Sequence, residues 1–190
     1  MKRLEIWFPV ALMLSLAALT YWLDHSVQSA PPKKDGSTRH DPDYIVENFK
    51  TTRMGTDGRP HNVLTARKMT HYPDDDSTYL EQPHFTRYQI DSPPVHITGK
   101  NGMVSANGDH VYFTGNVHVV REAFGKNSQL TLDTEYLHII PDQDLANSDK
   151  AVIIRDANTI VTAIGLELNN KTRILKLLSR VKAHHEKPKR

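Results

Sequence analysis

Two stretches far apart in the chain share one pattern of apolar and polar positions. "GDHVYFTGNVHVVRE" (Gly108 to Glu122) alternates, breaks at Gly115-Asn116 and alternates again, and "TRILKLLSRVKAHHE" (Thr172 to Glu186) has the same shape. Alternation with period two marks a half-buried strand, because successive strand side chains point to opposite faces. "NVLTARKMTHY", "PVHITG", "GMVSANG", "SQLTLDTEYLHII", "DKAVIIRD" and "NTIVTAIGLEL" read as strands too. Turn signals such as Asp57-Gly58, Ser92-Pro93-Pro94, Asn107-Gly108 and Asn169-Asn170 separate them. No convincing helix lies between Tyr44 and Ala183; "LTARKM" is too short to stand alone.

The pattern repeats. Ala66 to Tyr88, Gly102 to Val120, Thr134 to Arg155 and Gly165 to His184 each run strand, polar tip, strand, then a strand led by Phe85, Val117, Val152 or Val181. The tips are "PDDDST", "ANGD", "PDQD" and "NNKT". One hairpin cannot bury its apolar face alone, whereas stacked hairpins bury a continuous one. Many short strands predict a sandwich, barrel or β-solenoid, and the repetition favours a solenoid-like or jelly-roll stack.

The N-terminus follows another rule. An apolar run from Ile6 to Leu23 stands behind Lys2-Arg3, with Trp7 and Tyr21-Trp22 at its ends. A helix of that length spans roughly 27 Å, enough for a bilayer core, and aromatic rings prefer the interface. The basic start predicts a cytoplasmic N-terminus and an exported body. A cleaved signal is the rival, with its only plausible cut near Val27 to Ala30. The run is longer than a signal's apolar region and closes in bulky residues, which favours an anchor. The domains expected are an anchor (1–25), a polar tether (26–43), a β domain (44–184) and a basic tail (185–190).

Composition adds little to this picture. The chain has 190 residues and a formal charge of +2, which points to no nucleic acid or other polyanionic partner. The basic residues gather late, with eight Lys or Arg from Lys171 to Arg190 against Glu186 alone. The absence of cysteine excludes disulfides, thiol catalysis and cysteine-ligated zinc. Eleven histidines show none of the usual ligand spacings. Asp74-Asp75-Asp76 lacks the glycine and downstream glutamate of a calcium loop. No nucleophile elbow or P-loop is present, so no catalytic residue, metal or cofactor is expected. What stands out is apolar surplus. "VYF" (111–113), "LHII" (137–140) and "VIIRD" (152–156) place apolar groups on both strand faces. One face forms a core, and the other is covered by a second sheet or lines a groove.

"DPDYIVENF" (41–49), "YLEQPHFTRY" (79–88), "GDHVYFTGNVHVVRE", "ANSDKAVIIRD" (146–156) and "GLELNN" (165–170), in order behind an anchor, resemble the LptC family. The resemblance implies an all-β, antiparallel β-jellyroll of two sheets, open like a taco, in the periplasm behind one inner-membrane helix. It implies a groove that accepts lipopolysaccharide from the LptB, LptF and LptG transporter and passes it to LptA, with no catalytic residue of its own. The basic, histidine-bearing tail departs from the pattern. The alternative is a tethered β scaffold that binds a protein or glycan and carries no lipid.

Period two gives Phe85, Met103, Phe113, Val117, Leu132, Tyr136, Ile154 and Leu166 as groove candidates, against Tyr112, His118 and Asp133 on the opposite face. The last strand, carrying Arg173, Leu175, Leu177, Val181 and Ala183, is the candidate edge for LptA. The first strand, near Tyr44 to Thr52, is the candidate edge for the transporter. Gly165, inside a strand pattern, marks a bulge or a close backbone approach.

Overall fold

The computed structural model describes residues 4–27 and 40–186. Lys2-Arg3, most of the tether, the candidate cut and residues 187–190 lie outside them. The helix and the strands belong to separate units. Helix α1 spans Leu4–Val27. Among the described residues no helix is long and apolar enough to cross a membrane, so the anchor rests on the sequence alone.

The second unit is a single antiparallel sheet of eleven strands. They are β1 (Tyr44–Met54), β2 (Pro60–Tyr72), β3 (Ser77–Glu81), β4 (His84–Gln89), β5 (Ser92–Thr98), β6 (Asn101–Val104), β7 (Val111–Arg121), β8 (Leu130–Ile140), β9 (Leu145–Arg155), β10 (Thr159–Asn169) and β11 (Ile174–His185). From β7 to β11 each strand pairs with the next. Between β2 and β7 the sheet forks. One branch runs through β4 and β5, the other through β3 and β6.

A crease explains the fork. The ladders slip between Thr114 and Val117, Thr134 and His138, and Ile164 and Leu166. Positive φ angles fall along the same line, at Asn48, Gln82, Gly115-Asn116, Gly165 and Arg180. An extra residue bends its strand and steps the in-out alternation. The Gly115-Asn116 break in the sequence is one of these points. Backbone bonds carry the ladder through it, with Gln82 N–H donating to Lys100 O and Lys100 N–H to Gly115 O, both 2.8 Å. The crease divides the sheet into wing A, which ends in the four tips read from the sequence, and wing B, which ends in the turns near residues 55–59, 90–91, 122–129 and 156–158. Expected as two sheets, the jellyroll is one sheet folded over.

Both buried clusters draw on both wings. Phe113 and Leu137 of wing A pack with Ile97 and Val117 of wing B, while Leu166 of wing A packs with Leu132, Val152, Ile154 and Ala163 of wing B. Two boundaries differ from the expected ones. The last strand extends through His185, whose partner is Thr159, so the histidine pair belongs to the sheet. Arg173 lies in the turn before β11 with φ 56°.

Candidate functional site

The inner face of the fold is a set of apolar files running across the strands. In wing B, cross-strand partners link Leu64, Phe85, Ile97, Val119, Leu132, Ile154, Val161 and Ala183 in turn from β2 to β11. In wing A, Val46, Met69, Leu80, Gly102, Phe113 and Leu137 follow one another from β1 to β8. Residues directly opposite in an antiparallel ladder share a face, so each file is one continuous stripe.

Six groove candidates lie on this face. Phe113, Val117, Leu132, Ile154 and Leu166 are buried and Phe85 is half-buried. Met103 and Tyr136 lie on the outer face, which corrects their assignment. Met103 is flanked by inward Gly102, where a Cβ would stand 3.1 Å from Pro83 Cγ and 3.5 Å from Leu80 Cβ. The sequence draws the eye to the larger apolar side chain, but the inner position is tight for any side chain. Tyr136 follows the slip after Thr134, so Leu137 takes the inward place. Tyr112, His118 and Asp133 are on the outer face, with His118 Nδ1 2.6 Å from Asp133 and Arg155 paired to the same carboxylate.

The cleft is closed at its centre and exposed at its ends. Phe113, Val117, Val152 and Leu166 are each only 1% exposed. On the outermost strands, inward Tyr44 and Leu175 are 46% and 42% exposed. Val181 is exposed at 51%, whereas Leu177 packs against the core. β1 and β11 each have one neighbour, so each offers an unpaired edge. Gly165 sits on the crease with φ +81°, and a Cβ there would meet Leu178 Cδ1 at 2.8 Å. The ladder to β9 shifts register between Ile164 and Leu166, around this glycine, and its close neighbour is a side chain.

Polar groups gather at the mouth, where the wing ends face each other. One file on the inner side of wing B reads Arg53, Asn62, Arg87, Val95, Arg121 and Leu130. Arg87 Nη2 donates to Asp144 Oδ1 at 2.8 Å. Asp144 belongs to the wing A tip between β8 and β9, so this pair clasps the two wings. Arg87 Nε and Asn62 Oδ1 are buried and unpartnered. Sequence reasoning passed over all of these residues, because a register across four strands is needed to bring them into one row.

Near the first edge, His71 donates toward Asp43 at 2.8 Å and toward Asp76 at 2.9 Å. The hydrogen bond to Asp43, followed by that to Asp76, raises His71 above the ordinary imidazole value. The bond to His71 lowers Asp43. On the outer face of wing A, Tyr79, Met103, Tyr112 and His138 form a file, and Tyr112 stacks on His138 at 4.5 Å. Burial lowers His138, with His110 adding to the effect, and burial raises Tyr136. His40, Asp74 and Asp75 group their ligating atoms, but all three are exposed. Asp74 is held by His40 at 2.9 Å and Asp75 accepts from Ser77 N–H at 3.0 Å.

Among solved structures, the fold is similar to that of LptH of Pseudomonas aeruginosa, described as the LptA-homologous periplasmic component of the lipopolysaccharide transport device. The TM-score is 0.54 at 8% identity, over 66% of this chain and 95% of that one. A search of curated proteins finds no match. A family model described as "Lipopolysaccharide-assembly, LptC-related" matches residues 10–186. That match takes in α1 from Val10 onward and every strand, and the chain belongs to the LptC family.

Proposed function

We propose that this LptC-family protein is held in the inner membrane by its N-terminal helix and carries lipopolysaccharide between its wings. It takes the lipid from the LptB, LptF and LptG transporter at the β1 edge and passes it to LptA at the β11 edge. The acyl chains lie along Phe85, Phe113, Val117, Leu132, Ile154 and Leu166. ATP is hydrolysed elsewhere in the machine, and this chain performs no covalent step.

The observation that carries the reading is the unbroken apolar file from Leu64 in β2 to Ala183 in β11. Each CH₂ removed from water is worth about 0.8 kcal/mol, so an acyl chain needs apolar cover at every step of its path. A stripe of similar contacts gives that cover without a deep trap. Repetition with no catalytic constellation is what such a track requires. Because the centre is closed, the wings must part for the lipid to pass.

The closed centre is also what favours the second reading, a tethered scaffold that binds a glycan or protein on its surface. Competition separates the two. Full-length protein in detergent should bind purified lipopolysaccharide, and deacylated lipopolysaccharide should fail to compete. Equal competition by the deacylated sugar would establish the scaffold instead.

A further inference from the structure

The apolar cleft accounts for the inner face but leaves its mouth unexplained. Arg53, Arg87 and Arg121 fall on one cross-strand file, two strands apart in each step. At about 4.8 Å between strands, the three stand roughly 10 Å apart along the rim of wing B. Beneath them lies the apolar file through Leu64, Phe85, Ile97 and Val119. A row of cations above an apolar stripe matches an amphiphile with an anionic head.

The partners of these arginines point the same way. Among the described residues only Arg87 of the three has a carboxylate, Asp144, and that residue comes from the opposite wing. Arg121 reaches only Ser128 O, at 3.5 Å. Arg87 Nε is buried without a partner. Guanidinium groups bind phosphate through paired N–H donors, so a phosphate oxygen is the natural competitor of a carboxylate for such a site.

We propose that Arg87, with Arg53 and Arg121, binds the phosphate-bearing headgroup of the amphiphile, which replaces Asp144 as the partner of Arg87 and so releases the clasp across the mouth. This rests on the reading that the cleft carries acyl chains. It adds a headgroup site to that reading and links occupancy to opening. One ion exchange then does two things. It fixes the head at the rim, and it frees wing A to move away from wing B over the chains.

The test measures binding of purified lipopolysaccharide and of the same material dephosphorylated, by full-length protein in detergent. Wild type should prefer the phosphorylated lipid by about tenfold, the size of one charge-assisted contact. Arg87→Gln should bring that ratio close to one, and Asp144→Asn should raise it. A clasp that is merely structural is broken by either substitution and moves both variants in the same direction, which would overturn the proposal. Equal binding of the two lipids by wild type would overturn it too and needs no variant. So would displacement of the lipid by inorganic phosphate at equal concentration, since the site would then take any small anion. If wild type binds neither lipid, the transport reading itself falls, and the headgroup site with it.

Discussion

At the crease, Gly165 adopts φ +81°, a conformation that side chains with a Cβ resist. Holding another residue there costs about 1–3 kcal/mol in backbone strain. Gly165→Ala should therefore lower the stability of the β domain by about that amount in thermal or urea unfolding. The added Cβ already crowds Leu178, Gly165→Arg crowds it further, and under the proposed function the arginine variant weakens delivery to LptA. His71 sets a second expectation at this scale. Its pKa is raised in the fold, so its contribution is fully present below the unfolded value near 6.5 and is lost as pH rises through the folded value. Asp43, lowered by the same bond, contributes above its unfolded value of 3.8 and loses that as pH falls through the folded value. The pair therefore stabilises most in mildly acidic solution, and His71→Gln should flatten the stability profile across pH 5 to 8. The sequence made Gly165 legible because a lone glycine interrupts an alternating run. It hid the inward and outward sense of Tyr136, because the slip after Thr134 occurs with no glycine or proline to mark it.

Among the elements, the polar tips were legible, but the strands read as led by Val117, Val152 and Val181 are the second halves of β7, β9 and β11 beyond the crease. All four polar tips read from the sequence are turns at the end of wing A. The fork was not, because β3, β4 and β6 are six residues or fewer and their pairing depends on partners distant in sequence. The edges follow from sheet order. β11 leaves one side unpaired, and strand addition needs that free ladder. Lys176, Arg180 and Lys182 are the usual defence against unwanted pairing, so binding here must be selective. Deleting residues from Arg173 onward should abolish capture of LptA in pulldown and leave co-purification with LptF and LptG intact. Leu177 packs on the buried cluster, so the same deletion should also lower the melting temperature. If the truncated chain still captures LptA normally, or loses the transporter first, the proposed polarity is wrong.

For the β domain as a whole, the closed centre and the clasp make opening, under the proposed function, the step on which transport depends. The chain contains no cysteine, so Arg87→Cys with Asp144→Cys introduces the only two thiols. Joining them with a short bifunctional thiol reagent should stop lipopolysaccharide transfer to LptA, whereas the unjoined pair, which lacks the Arg87 headgroup contact, should transfer at a reduced rate. Unimpaired transfer by the joined protein would show that the wings need not part at this point. The central claim is that lipid travels between the wings, and photo-crosslinking in membranes holding the whole transporter tests it most directly. A crosslinker placed in turn at inward Phe85, Leu132 and Ile154 should capture lipopolysaccharide when ATP is supplied and much less without it. The same group at outward Met103, Tyr112 and His118 should capture little under either condition. Equal capture from the two faces, or capture from the outer face alone, would contradict the account.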